Sequence, residues 1–229
     1  MNRFVFLGAP GVGKGSFTSI LAPQLGLATV GAGDLVRDEV KRGTAVGKKL
    51  KAFSDSGQLA PDGVINDLAS ETRRHGERPD ASRGFILDGF PRNLAQAAWL
   101  ESAGIELDRV INITLPEWIM VKKLSARRSC PECRKSFNVA DVNKADGYVM
   151  PKILPDFDSC GRGARCPGVL DKLERRADDT EDVIRERLSV YRSETAPLID
   201  FYETQGLLKN FPVRRGIRDK DALADLMIA

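Results

Sequence analysis

The sequence carries little excess charge of either sign, and its first apolar run is short. Its 229 residues include 35 basic and 32 acidic side chains, which give a net charge of +3. This balance provides no basic surface of the kind that follows a nucleic-acid backbone. The apolar run at residues 4–7 is too short for a signal peptide or a membrane span. We therefore expect an intracellular, cytoplasmic protein that binds neither nucleic acid nor membranes.

Histidine and cysteine are also scarce. The only histidine, His75, lies in a polar run, which indicates a solvated surface position. Four cysteines in an otherwise ordinary composition favour reduced thiols or a metal site over a framework of disulfides. The hydrophobic content of 42% is sufficient for a chain of this length to bury a core unaided.

Short apolar runs bounded by Gly or Pro alternate with longer helical patterns, which predicts an α/β fold with a parallel sheet. The predicted strands are residues 4–7, 28–30, 85–87, 110–115 and 207–211. The predicted helices are residues 14–24, 33–42, 62–74, 94–102, 117–128 and 180–204. Residues 129–176 break this pattern and indicate a small inserted subdomain. Asp178, followed three residues later by Glu181, predicts a capping box at the start of the last helix.

Residues 8–16 read GAPGVGKGS and stand between a predicted strand and a predicted helix, which is the context of a phosphate-binding loop. Its four glycines let backbone N–H groups surround a phosphate, and Lys14 adds a positive charge. Such loops normally place Ser or Thr directly after the lysine, whereas here Gly15 intervenes and the hydroxyl belongs to Ser16. A magnesium ion then depends more on water and on the nucleotide's own oxygens. The spacing indicates a nucleotide site, and a plain strand-to-helix turn is the alternative.

The loop variant GxxGxGKG[ST] resembles that of adenylate kinases, and the resemblance extends over nearly the whole chain. The further motifs are GDLVR at 33–37, GQLAPD at 57–62, LDGFPR at 87–92 with Gln96, ARR at 126–128 and RADDTEDVIRERL at 176–188. The inserted segment resembles the extended lid of this family, particularly that of the plant organelle type. Together, in this order and spacing, the motifs favour a nucleoside monophosphate kinase over any other phosphate-loop protein.

The resemblance implies reversible transfer of the terminal phosphoryl group of ATP to AMP, giving two ADP, with Mg²⁺ as cofactor. It implies a P-loop NTPase-like core with a parallel five-stranded sheet flanked by helices at residues 1–31, 75–126 and 177–229. An NMP-binding insert is expected at residues 32–74 and a LID insert at 127–176, and the protein is expected to be a monomer. The attacking phosphate oxygen is already ionised, so arginines that neutralise charge are expected in place of a catalytic histidine.

The resemblance also assigns the residues that bind the acceptor and transfer the phosphoryl group. The AMP-binding residues would be Ala32, Arg37, Gln58, Leu59, Ala60, Gly89, Arg92, Gln96, Arg176 and Arg187. Arg37 and Arg92 would hold the acceptor's phosphate, and Gln96 would read the edge of the base. The catalytic residues would be Lys14, Asp88, Arg92, Arg127, Arg176 and Arg187, of which the last three would close on the transferring group.

Two of these residues are also marked by local pattern. Asp88 ends an apolar strand, so its carboxylate is expected at the edge of the sheet where open parallel sheets bind ligands, and there it would orient magnesium through water. A turn-capping aspartate is the alternative. At about 100° per residue, Arg187 shares a helix face with Ile184 and Leu188. An arginine on an apolar face indicates either a phosphate ligand or a structural ion pair.

The donor site implied by the resemblance comprises Gly11, Val12, Gly13, Lys14, Gly15, Ser16, Lys123, Arg127, Phe137 and Ile217. Phe137 would pack on the adenine from the lid, and the backbone near Ile217 would contact it from the other side. Lys123 stands where the family often has an arginine that stacks on the adenine. The flat stacking surface is lost, so looser selectivity for the donor is expected.

Two positions depart from the adenylate kinase pattern and keep other acceptors open. Ala32, where the family usually has Thr, and Asn93 resemble the UMP/CMP kinases, whereas Gln96 and the long lid favour AMP. A UMP/CMP kinase is therefore the alternative enzyme. A non-catalytic nucleotide-binding protein, whose insert binds a partner, is a remote alternative.

The four cysteines all lie in the predicted lid. Cys130 and Cys133 form a CxxC pair, and Cys160 and Cys166 form a second pair with a wider gap. Some bacterial adenylate kinases hold zinc in the lid with two CxxC-like pairs, and a zinc ion held by these four thiolates would be structural. Free thiols packed in a small core, or a disulfide, are the alternatives.

Overall fold

A computed structural model describes residues 2–66, 83–131, 135–143, 146–155 and 173–228, with the backbone only at Asp34. Five parallel strands form the central sheet: β1 Asn2–Leu7, β2 Ala28–Gly31, β3 Gly84–Asp88, β4 Arg109–Thr114 and β9 Leu208–Pro212. Their order in the sheet is β2-β3-β1-β4-β9. All five predicted strands are confirmed, and so is the α/β class with helices flanking a parallel sheet.

The central strands are almost wholly apolar because helices cover both faces of the sheet. In β1 the four residues Phe4, Val5, Phe6 and Leu7 are all buried. Alternate residues therefore enter different cores. Phe4 and Phe6 pack on one side of the sheet, whereas Val5 and Leu7 pack on the other.

Eight α-helices have bounds that lie wholly within the described residues. They are α1 Lys14–Leu25, α2 Ala32–Arg42, α3 Ala45–Ser56, α4 Leu94–Ser102, α5 Glu117–Ser125, α6 Glu181–Val190, α7 Pro197–Thr204 and α8 Lys220–Ile228. The sequence patterns did not predict α3 or α8. Residues 62–66 are helical, and the remainder of the helix predicted at 62–74 lies outside the described residues.

Two helix predictions are corrected in their extent. The helix predicted at 117–128 ends at Ser125, because the next residues form strand β5, Arg127–Ser129, which pairs with β6, Ser136–Asn138. The long helix predicted at 180–204 is interrupted between α6 and α7 by a π-helical turn, Tyr191–Thr195. The turn buries Thr195, whose hydroxyl donates to the carbonyl oxygen of Arg92 at 2.7 Å.

The segment that broke the helical pattern contains two small antiparallel pairs. One is β5 with β6, and the other is β7, Val142–Asn143, with β8, Val149–Met150. Cys130, Phe137 and Leu173 form a small buried cluster beside the first pair, whereas Val142 and Met150 join the main core.

Candidate active site

The glycine loop at residues 8–16 joins β1 to α1 in the way that the sequence predicted. Gly13 caps the helix with φ of 104°, a left-handed conformation that favours glycine, and it has no side chain to cap the first amides. The first N–H groups of a helix have no partners within it, and they carry the positive end of the helix dipole. The loop therefore presents amides to an anion.

Lys14 is half-buried beneath this loop. Its Nζ donates to the carbonyl oxygens of Gly8 at 2.6 Å and Ala9 at 3.2 Å. Burial, together with the positive charges of Arg92, Arg187 and Arg127, lowers the Lys14 pKa to about 8, against the opposing effect of Asp88. Four charged side chains from three other segments of the chain thus act on Lys14 at this loop.

Asp88 lies at the carboxyl end of β3, where the sequence placed it. Its backbone pairs in register with Phe6 on one side and Gly31 on the other. A Cβ atom added at Gly15 would stand 3.2 Å from Asp88 Oδ2. Gly15, which departs from the usual motif, therefore leaves room for this carboxylate against the phosphate loop.

Arg92 comes four residues after Asp88, and hydrogen bonds hold both its backbone and its side chain. Its Nε donates to the carbonyl oxygen of Gly89 at 2.8 Å, and its backbone N–H donates to Gln96 Oε1 at 2.7 Å. Burial, with the positive charge of Arg187, lowers the Arg92 pKa to about 10. The guanidinium is held among other cations, an arrangement that an anionic ligand would stabilise.

Arg127 and Arg187 are paired with two adjacent aspartates. Arg127 donates from Nε and Nη2 to the Asp179 carboxylate at 2.8 and 2.6 Å, and Arg187 Nη1 donates to Asp178 Oδ2 at 2.8 Å. Asp179 is only 1% exposed. Burial lowers the Arg187 pKa, and Asp178 opposes this shift.

These ion pairs overturn the predicted capping box. Asp178 lies in a 3-10 turn, Ala177–Asp179, and the residue that caps α6 is Thr180, whose side chain makes no capping hydrogen bond. The Asp178 carboxylate binds Arg187 instead, so the charge pairing outcompetes the helix cap. The helix face that the sequence predicted is confirmed, since Ile184 and Leu188 are buried and Arg187 is half-buried beside them.

Arg176 and Arg37 complete the group of cations. Arg176 donates to the hydroxyls of Ser129 at 3.2 Å and Ser136 at 3.1 Å. Burial, together with the positive charges of Arg127 and Arg37, lowers its pKa to about 10. The Arg37 guanidinium lies against Gly33, since a Cβ added there would stand 3.1 Å from Arg37 Nη1.

A pocket between α2, α3 and the end of β3 collects most of the predicted acceptor residues. Those that line it are Ala32, Arg37, Gln58, Leu59, Ala60, Gly89, Arg92, Gln96 and Arg187. Arg176 is not among the lining residues. The pocket also has an apolar wall that the sequence did not predict, formed by Val36, Leu50, Phe53 and Ile65. Leu50 and Phe53 share one face of the unpredicted helix α3, and their spacing of three residues was the available signal.

A second pocket links the acceptor side to the phosphate loop. Its lining residues include Gly8, Lys14, Gly89, Arg92 and Arg187. Gly57, Leu59, Gly89, Arg92 and Arg187 line both pockets, so the two share a wall that carries two cations. A negatively charged group transferred from one pocket to the other would therefore lie next to these two arginines.

Three residues predicted for the donor base line neither pocket. Phe137 is 3% exposed and packs with Cys130 and Leu173, so it would have to leave that cluster to stack on a base. Lys123 is half-buried in α5, and burial lowers its pKa. Ile217 lies in a 3-10 turn, Gly216–Asp219, and packs against the main core.

Of the four cysteines, only Cys130 belongs to the described residues. It is 1% exposed, and its N–H donates to the carbonyl oxygen of Lys135 at 3.0 Å, which closes the turn between β5 and β6. Cys133, Cys160 and Cys166 lie outside the part of the chain that the structure describes, as does His75. Within that part, no helix is both long and apolar enough to cross a membrane.

Comparison with known proteins gives a consistent result over almost the whole chain. Residues 6–207 match the family model described as adenylate kinase. The chain is 41% identical to an adenylate kinase of Solanum tuberosum over 94% of this chain and 72% of the relative. It is 38% identical to a GTP:AMP phosphotransferase of Plasmodium falciparum over 99% and 96%. An adenylate kinase of Thermodesulfovibrio yellowstonii is 40% identical over 91% and 90%.

Proposed function

The chain belongs to the adenylate kinase family, and from this membership we propose that it transfers the terminal phosphoryl group of ATP reversibly to AMP. The observation that carries the proposal is a group of cations between the phosphate loop and the pocket with the apolar wall: Arg92 and Arg187 line both pockets, and Lys14 lines the second. A polyphosphate on the loop and a monophosphate in the pocket would meet at this wall.

The reaction requires the protein to stabilise negative charge and to align the two reacting phosphate groups. An AMP phosphate oxygen attacks the terminal phosphorus of ATP in line, and the bond to the ADP oxygen breaks as the new bond forms. The nucleophile is already ionised, so no general base is needed. Lys14, Arg92, Arg127, Arg176 and Arg187 neutralise the charge that spreads over the transferring oxygens.

The group of residues at the end of β3 suits a magnesium ion that accompanies ATP. Asp88 brings a carboxylate beside Gly15, and the exposed hydroxyl of Ser16 lies in the same loop. Hard oxygen donors of this kind are the ligands that Mg²⁺ prefers, usually with several waters retained. The ion would neutralise phosphate charge and orient the polyphosphate, and these two residues would hold it, directly or through water.

The remaining assignments follow the family pattern. Arg37 and Arg92 hold the AMP phosphate at the polar end of the acceptor pocket, and Gln96 reads the base against the apolar wall. The amides of residues 11–16 hold the ATP phosphates. The LID and NMP-binding inserts move to close the site, which keeps water from the transferring group. Binding of the donor base by Lys123, Phe137 and Ile217 remains a prediction from sequence.

A structural zinc ion in the lid is part of the proposal. Ser129 pairs with Glu174, and Asn138 pairs with Ile153. The described residues that flank the second cysteine pair in sequence are therefore bonded to the residues that flank the first pair. Cys130 is buried at that place. Four thiolates brought together there would form a closed tetrahedral site without a position for substrate. The cytoplasmic location and the monomeric state likewise remain predictions.

Two alternatives concern the substrates. Ala32 and Asn93 keep a UMP/CMP kinase open, and the relative named GTP:AMP phosphotransferase makes GTP the first donor to compare with ATP. Steady-state transfer should be measured with AMP, UMP, CMP and GMP as acceptors and with ATP and GTP as donors. We expect AMP to be the preferred acceptor, and preferred transfer to UMP or CMP would replace the proposal with the alternative.

The variant Lys14→Ala tests whether the phosphate loop takes part in phosphoryl transfer. Removing the ammonium should lower transfer by at least about 100-fold, since preorganised charge of this kind commonly contributes that much. Circular dichroism and the melting temperature report whether the variant folds. Retained turnover in a folded variant would contradict the loop assignment, and a wild-type chain that binds ATP without any transfer would favour the non-catalytic alternative.

A further inference from the structure

Two partners hold the side-chain amide of Gln96 in the acceptor pocket, and one of them is a hydrogen-bond donor whereas the other is an acceptor. Its Oε1 accepts from the backbone N–H of Arg92 at 2.7 Å, and its Nε2 donates to Asp62 Oδ1 at 2.7 Å. Gln96 is 2% exposed and borders the pocket beside Ala32 and Ile65. The partner Asp62 lies 34 residues earlier, within the predicted NMP-binding insert.

The two partners fix which way the amide points. A backbone N–H can only donate, and an ionised carboxylate can only accept. If the amide rotated by 180°, its NH₂ group would face the Arg92 N–H and its oxygen would face the carboxylate. Both contacts would then be repulsive, and a buried amide would lose its partners.

Asn93 binds the same carboxylate and is oriented by the same rule. Its Nδ2 donates to Asp62 Oδ1 at 3.0 Å and Oδ2 at 3.2 Å, while its Oδ1 accepts from the Gln96 N–H at 2.9 Å. Asp62 thus satisfies two amide NH₂ groups at once. An uncharged amide at position 62 would have only one oxygen for these two donors.

The fixed amide has one lone pair and one N–H left for a ligand. A 6-amino purine offers an N–H donor at its exocyclic nitrogen and an acceptor at the adjacent ring nitrogen, which matches this pair. A 6-oxo purine offers an acceptor and a donor in the opposite order. We infer that Asp62 is a specificity-determining, positioning residue: by locking the Gln96 amide it makes the pocket select a 6-amino over a 6-oxo purine monophosphate. The inference rests on the proposed function, in which Gln96 reads the acceptor base.

The test compares AMP with inosine monophosphate, which differ in the 6-position group and the adjacent ring nitrogen. Asp62→Asn should lower the ratio of kcat/KM for AMP to that for inosine monophosphate by about tenfold, because the amide can now turn at the loss of one hydrogen bond. Asp62→Ser is a second variant with the same expectation, since a hydroxyl also both donates and accepts. Melting temperatures establish that each variant is folded.

Asn93→Ser is the matched control. Its hydroxyl can still accept from the Gln96 N–H, and both partners of the Gln96 amide remain. The selectivity ratio should stay within about threefold of wild type, although the fold is slightly less stable. An equal fall in the selectivity ratio for Asn93→Ser would show that any loosening of the acceptor pocket lowers selectivity, and it would overturn the inference.

The remaining outcomes separate this inference from the proposed function. An unchanged ratio in folded Asp62→Asn and Asp62→Ser, with wild type active on AMP, overturns the role of Asp62 alone. An unchanged ratio in Gln96→Leu also overturns it, because the base is then read elsewhere, while phosphoryl transfer to AMP still stands. A wild-type protein without transfer to AMP refutes the proposed function and removes the basis of the inference.

Discussion

Binding of ATP at pH 8, without an acceptor, is expected to draw about half a proton from solution onto Lys14. The Lys14 pKa in the nucleotide-free protein is lowered to about 8 by burial and by the neighbouring arginines. About half of the molecules therefore hold a neutral amine at that pH. The negative charges of ATP favour the ammonium and should return the pKa above about 10, so binding completes the protonation.

The uptake has a definite dependence on pH. It should rise from about one tenth of a proton at pH 7 to about nine tenths at pH 9, as a group with a pKa near 8 requires. The bound state holds more protons than the free state throughout this range, so ATP affinity must fall as pH rises, and the fall approaches about tenfold per pH unit near pH 9. Below pH 7 the ammonium is complete in both states, and this contribution to the pH dependence disappears.

Isothermal titration calorimetry measures the uptake. At each pH, the observed binding enthalpy is compared in two buffers with different ionisation enthalpies, and the slope gives the number of protons bound. Lys14→Arg is the matched control, because a guanidinium stays protonated throughout this range. Equal uptake in wild type and Lys14→Arg, or no change between pH 7 and pH 9, would refute the reasoning about Lys14.

Asp179→Ala should lower the free energy of unfolding by about 3 kcal/mol, since it leaves the Arg127 guanidinium without the buried carboxylate that it contacts at 2.6 Å. Urea unfolding tests this, and a loss below about 1 kcal/mol would contradict it. Gly47→Ala should cost about 1–3 kcal/mol, because its Cβ would stand 2.0 Å from the Glu39 carbonyl oxygen and force α2 and α3 apart; an unchanged melting temperature would show that the helices do not pack this closely. Elemental analysis should find about one zinc ion per chain, and chelation should lower the melting temperature. A metal-free protein of unchanged stability would exclude the structural zinc.

The local pattern of the sequence was sufficient for much of the fold. Apolar runs flanked by Gly or Pro located all five strands of the central sheet, and the glycine spacing located the phosphate loop. The position of Arg187 on an apolar helix face followed from helical periodicity. Helix α3 was missed because its sequence, AVGKKLKAFSDS, has a glycine in its first turn, which weakens a helical pattern. The capping box was wrong because a local rule took no account of the arginines that bind Asp178.

The sequence by itself determined the strands and the glycine loop, because these depend on neighbours within a few positions along the chain, and its family motifs predicted which cationic residues belong to the site. Only the tertiary structure decided which partners those residues have. The pairing of Arg127 with Asp179, the approach of Asp88 to Gly15 and the contact of Asp62 with Gln96 each join segments far apart in sequence. Such contacts depend on how whole elements pack, and a hydrogen bond is satisfied only when its donor and acceptor are brought together in space.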